Sequence, residues 1–251
     1  MAIDLSGRHA FDLTALADEL DRRQKSGDRR YEKYRIAIEE FEAAASILRD
    51  LRSCERSMQL LANVQSDEGM RQAFGQPLFT HAVLSYCRAL VSETNARRRI
   101  NVDNKAYDQS LREKHLAIKN LRSTALAHYH IGKGKFGDIW TDDRVAIRLV
   151  NGSMSSIDIF LGTNYLAAAA NDLLLLLETA IPYVWKERLR RQHALDVLIA
   201  DAIQSDDQFV SRMESHEFDP TTYFPTEDSQ TRFWTNESGG GEHYRLAAEQ
   251  L

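Results

Sequence analysis

Residues 121–130 read LRSTALAHYH, and three of them can do proton or phosphate chemistry. Arg122 carries a guanidinium that stays charged and can hold two phosphate oxygens at once. His128 and His130 carry imidazoles that titrate near neutrality and can move a proton. A cation beside a proton carrier is what cleavage of a phosphodiester needs, if both reach one phosphate. A bland alternative stands beside it. An arginine here can neutralise the last carbonyls of its helix, and a histidine can sit half-buried against a backbone carbonyl. Arg122 and His128 are six positions apart, about 9 Å of rise and about 120° out of alignment on a straight helix. One helix does not close them on one small group. Either the helix ends or tightens near His128, or the same end of a second subunit completes a shared cleft.

The surroundings favour a polyanion. Residues 97–135 hold ten Lys and Arg against Asp103, Asp108 and Glu113. Clustered cations are the electrostatic footprint of a nucleic-acid binder, although a charge run by itself also describes a solvated helix face. The net charge of −5 hides this, because residues 201–251 hold 11 acidic against 3 basic residues.

Two elements frame the motif. Phe41, Ala44, Leu48, Leu51, Cys54, Met58 and Leu61 recur at steps of three and four, one stripe of a long helix within 12–64 that breaks near Gly27. After a break at SDEG (66–69), a second helix is expected to start near Pro77, with Phe79, Val83, Tyr86 and Leu90 inward. RRRINVDN (97–104) reads as a charged link. A third helix over 106–128 carries the motif, with Leu111, Ile118, Leu121 and Ala125 inward and Arg112, Lys114 and Lys119 outward. IGKGKFGDIWTDD (131–143) is a loop. RVAIRLV (144–150) alternates at period two as a half-buried strand does, and IDIFL (157–161) is its hairpin partner through NGSMSS. Helix returns at 164–181 and 183–204. The expected architecture is all-α, a helical bundle with a small β-hairpin at about 144–162. A helical domain spans 1–204 (core about 30–204), and an acidic, mobile tail covers 205–251. Phe218, Tyr223, Phe224, Phe233 and Trp234 are docking residues in that tail, for the domain or for a partner.

Several classes are disfavoured. With 43 % hydrophobic and 27 % charged residues the composition is that of a globular protein. GKGKFG (132–137) matches G-x-G-x-x-G formally, but a dinucleotide site needs a strand before it and a helix after it, the reverse of the order here. His128 and His130 lack further metal ligands, so neither metal nor cofactor is expected. Cys54 and Cys87 sit in helical patterns as free thiols, which suits a reducing, cytoplasmic compartment. The N-terminus lacks a signal-peptide core, and the run at 166–181 is short for a membrane span, so no membrane is expected.

HLAIKNLRSTALAH (115–128) resembles the R-x4–6-H signature of the HEPN superfamily, and with the hairpin and the following helix the chain is similar to its AbiU2-like group of phage-defence and toxin-type proteins. The resemblance covers roughly residues 30–200, its specific part 115–130. It implies a metal-independent endoribonuclease working as a homodimer, with Arg122 and His128 as the catalytic pair in a dimer-interface cleft. RNA would be cut by its own 2′-hydroxyl, leaving a 2′,3′-cyclic phosphate and a 5′-hydroxyl. Lys119, Ser123, Tyr129, His130 and His115 would bind or position the backbone. Ser123 stands where the superfamily often has a larger polar residue, and His130 where some members have tyrosine. An antitoxin or defence-system protein is the further partner implied. The alternative is a non-catalytic HEPN-like RNA-binding, dimerisation or regulatory module.

Overall fold

The computed structural model describes residues 7, 9–91, 100–123, 144–160, 167–224 and 226–235. The long apolar stripe builds α2, Glu32–Asn63, after a short α1, Leu13–Lys25. Gly27 separates them at φ 101°, a left-handed conformation that glycine adopts without a Cβ penalty. Ala44, Leu48, Leu51, Cys54, Met58 and Leu61 are all buried, as their spacing requires.

Helix α3, Glu68–Leu90, begins nine residues before the expected start. The expected break is present, since α2 ends at Asn63, but SDEG straddles it: Ser66 and Asp67 lie between the helices, Glu68 and Gly69 open α3, and the Asp67 carboxylate accepts from the Met70 N–H at 2.9 Å. Pro77 therefore lies inside the helix. An interior proline costs about 3 kcal/mol. Phe79, Val83 and Tyr86, all buried, offset it at about 2 kcal/mol each. The described part of the link before the motif helix, from Ile100, is also more structured than its charge suggests. Ile100 and Val102 are buried, and α4, Val102–Lys105, makes one turn. Helix α5, Gln109–Leu121, starts behind Asp108, whose carboxylate caps Leu111 N–H at 2.8 Å.

The hairpin pairs β1, Arg144–Val150, with β2, Ser153–Phe160. Its turn is Asn151–Gly152 alone, with φ of 54° and 80°. Two positive φ values make the primed turn that matches strand twist, so β2 starts four residues earlier than expected. The expected half-burial is not met: every residue of β1 is exposed.

Helix α6, Ala167–Ser205, is continuous through Pro182 rather than two helices. Among the described helices it alone has the length and apolarity to cross a membrane, and half of its most apolar window is buried. Ala169, Leu173, Leu176, Leu177, Ala180 and Val184 join α2, α3 and α5 in one core.

The chain divides into two units, Glu39–Asp196 and a second that unites Met1–Ile38 with Val197–Leu251. Both α2 and α6 have residues in each. The expectation of a mobile tail over 205–251 does not hold for residues 207–224 and 226–235; residues 225 and 236–251 lie outside the described residues. Three helices form there: α7, Asp207–Glu214; α8, Pro220–Tyr223; and α9, Glu227–Thr235. Asp206 caps α7 by accepting from Gln208 and Phe209 N–H groups. Phe209 is fully buried and stacks on Tyr34, ring centroids 4.2 Å apart. The backbone closes onto the N-terminal segment through Asp12 N–H to His216 O and Phe218 N–H to Ala10 O, both 2.8 Å. Phe218, Tyr223, Phe224 and Phe233 pack on one another. Acidic composition hid an ordinary amphipathic pattern: Phe209, Val210 and Met213 share one face.

Candidate functional site

The motif helix ends in a cationic face. Lys119 and Arg122 are exposed and lie three positions apart, so they are neighbours on one side of the last turn. The backbone N–H of Arg122 donates to Ile118 O and Lys119 O, and the turn widens to π-type geometry at Arg122 and Ser123. Such widened turns occur often at functional sites. Ser123 is half-buried. Both cations lie within electrostatic reach of Cys87 in α3. Burial pushes that thiol up to about 12, against the pull of Arg122 and Lys119. His128, Tyr129 and His130 lie outside the described residues, as do Ala125, Arg97, Arg98, Arg99, Lys133 and Lys135.

The remaining cations of the basic segment divide by role. Arg112 is spent on structure: its guanidinium donates to the carbonyls of Asp103 at 2.9 Å and Asn104 at 3.3 Å, closing the end of α4. Lys114, expected to face outward, pairs with Asp172 of α6. Lys119 and Arg122 have no ion-pair partner among the described residues. Among the described cations of the segment, the exposed charge not engaged in these contacts sits on Lys105 at the end of α4 and on Lys119 and Arg122 at the end of α5.

His115 is corrected from a supporting RNA contact to a core residue. It is buried, and its Nδ1 lies 2.8 Å from the Tyr86 hydroxyl. Tyr86 and Tyr107 hydroxyls are 3.1 Å apart, and Tyr107 donates to the Leu176 carbonyl at 3.3 Å. The pattern around it carried the signal, because His115 stands three positions before the core residue Ile118. Burial pushes both tyrosines well above their ordinary range, so both keep their protons.

A second polar cluster, unforeseen from sequence, belongs to the other unit. Glu19 accepts from Arg23 at 2.5 Å, Arg212 at 3.1 Å and His216 at 2.9 Å. It lines a shallow, open depression with Arg23, Gln208, Ser211 and Arg212. Burial raises the Glu19 carboxyl, but hydrogen bonds from His216 and Arg23 and the charges of Arg23 and Arg212 outweigh it and hold it low. Only the Arg23 pairing, four positions along one helix, was legible. The cluster ties α1 to α7 through Arg212 and to the segment after it through His216.

Comparison with known protein families, with curated proteins and with solved structures returns no match to this chain.

Proposed function

We propose that the chain is a HEPN-type, metal-independent endoribonuclease of toxin or phage-defence kind. In this reading Arg122 and His128 form the catalytic pair in a cleft shared by two copies. The observation that carries the reading is the exposed Lys119–Arg122 face at the end of α5, six positions before His128 and free of acidic partners among the described residues. His128 takes the proton from a ribose 2′-hydroxyl. The oxygen attacks the adjacent phosphorus, the 5′-oxygen leaves, and a proton returns to it. Arg122 stabilises the charge that builds on the phosphorane oxygens. Lys119 holds the neighbouring phosphate, and Ser123, Tyr129 and His130 line the approach. His115 has no part in this.

The test is cleavage of a mixed RNA pool in EDTA by wild type, Arg122→Ala and His128→Ala. Wild type yields 2′,3′-cyclic phosphate and 5′-hydroxyl ends, and each substitution removes at least about 100-fold of the rate. Cleavage undiminished in His128→Ala overturns the assignment. Salt-dependent RNA binding without cleavage, surviving His128→Ala, replaces it with the non-catalytic module.

A further inference from the structure

Alternation at period two in a strand means that one face is meant to be dry. The hairpin has that alternation and no dry face among the described residues. Val145, Ile147 and Leu149 of β1 stand opposite Ile159, Ile157 and Met154 of β2. Opposite partners in an antiparallel pair point the same way, so these six apolar side chains form one surface. Each is between 58 and 73 % exposed. The other face is mixed, with Arg144, Ala146, Arg148 and Val150 opposite Phe160, Asp158, Ser156 and Ser153. Arg148 donates to Asp158 at 3.1 Å and Ser156 donates to Asp158 at 2.8 Å, and Ser156 and Asp158 are the half-buried residues of the hairpin. All six side chains of the wholly apolar face are thus open to water among the described residues. An isolated two-stranded hairpin is at best marginally stable in water, and contiguous apolar patches of this kind mark interaction surfaces.

We propose that this apolar face is the seat of a second copy of the chain, two hairpins stacking face to face across a twofold axis. Three features select a copy of itself as the occupant. First, the face carries no charge and no hydrogen-bonding side chain, so nothing on it encodes a chemically different partner. Second, it is built from three cross-strand pairs of similar aliphatic size. A twofold axis can therefore bring it onto itself with Ile147 and Ile157 at the centre. Third, its area suffices. Six such side chains at these exposures offer on the order of 600 Å² per copy, or about 1,200 Å² in the pair, the lower end for a specific dimer. Stacked sheets lie about 10 Å apart, a distance that interdigitated Ile, Leu and Met side chains fill. Arg144 and Arg148, at alternate positions, remain on the outer faces. This pairing stands whether or not the chain cleaves RNA.

Sedimentation equilibrium of the full chain from about 1 to 100 µM tests it, a range that brackets interfaces of this size. Wild type sediments as a dimer in the upper part of that range. Ile147→Asp puts a carboxylate at the centre of the dry face and raises the dimer dissociation constant at least about 100-fold. Arg148→Ala, on the opposite face, leaves it unchanged. Should Ile147→Asp unfold, single cysteines decide. On mild oxidation with oxidised glutathione, Ile157→Cys gives a covalent dimer on a non-reducing gel and Ser156→Cys does not. A wild-type monomer throughout the range overturns the proposal. So does an Ile147→Asp dimer as tight as wild type, or equal cross-linking at 156 and 157.

Discussion

Replacing Tyr107 by Phe should invert the proton order of a buried chain and leave a signature on His115. Tyr107 and Tyr86 each keep one proton, because burial holds both hydroxyls far above their ordinary range. Tyr107 spends its proton on the Leu176 carbonyl, which can only accept. The 3.1 Å link to Tyr86 must then be donated by Tyr86. With that proton committed, the 2.8 Å link to His115 must be donated by Nδ1, which therefore carries a proton. In Tyr107→Phe the Tyr86 hydroxyl loses its acceptor and turns to donate to His115, and the proton of the imidazole moves to Nε2. One buried hydroxyl loses a partner and the Leu176 carbonyl loses another. The cost is about 1–2 kcal/mol, a fall of roughly 2–8 °C in melting temperature for a chain of this size. Urea unfolding checks the energy, and the ¹⁵N shifts of the His115 ring nitrogens check the order. Wild-type His115 protonated at Nε2, or no change of tautomer in Tyr107→Phe, refutes the reasoning.

Two further perturbations test the packing. Glu187 is held down to about 2 by hydrogen bonds from Arg190 and Arg191, in the face of burial that raises it. Its folded value lies below the ordinary 4.5, so its stabilisation is present above about pH 4.5 and is lost as pH falls towards 2. That difference is worth at most about 3 kcal/mol, and solvent at its partly exposed side chain lowers the expectation to roughly 1–2 kcal/mol. Glu187→Gln should cost this at pH 6 and only a small part of it at pH 2 in denaturant titrations; a cost independent of pH removes the ion pairs as its source. Phe209→Ala should destabilise the unit built from both chain ends by about 3–5 kcal/mol. Hydrogen exchange at the Asp12 and Phe218 amides should accelerate with it, and unchanged exchange would mean that α7 does not anchor the clasp.

What periodicity could determine, it did. The α2 stripe, the Phe79–Leu90 face and the Ile118 and Leu121 positions lie where apolar spacing puts them, because burial of a face is a local, repeating demand on sequence. The cluster of cations around Arg122 was likewise legible as a charge excess. Tertiary structure decided which of those cations are spent: Arg112 on the carbonyls of α4 and Lys114 on Asp172, partners that spacing along one helix cannot reveal. It also took His115 into a core network with Tyr86, Tyr107 and Leu176, residues brought together from three elements. It folded residues 207–224 onto the N-terminal segment, where net acidity had suggested a tail. Composition counts charge without regard to position, whereas a fold needs only a few apolar side chains on one face and a partner to receive them. The hairpin reverses that lesson: its alternation specifies a dry face, yet its six apolar side chains are exposed among the described residues.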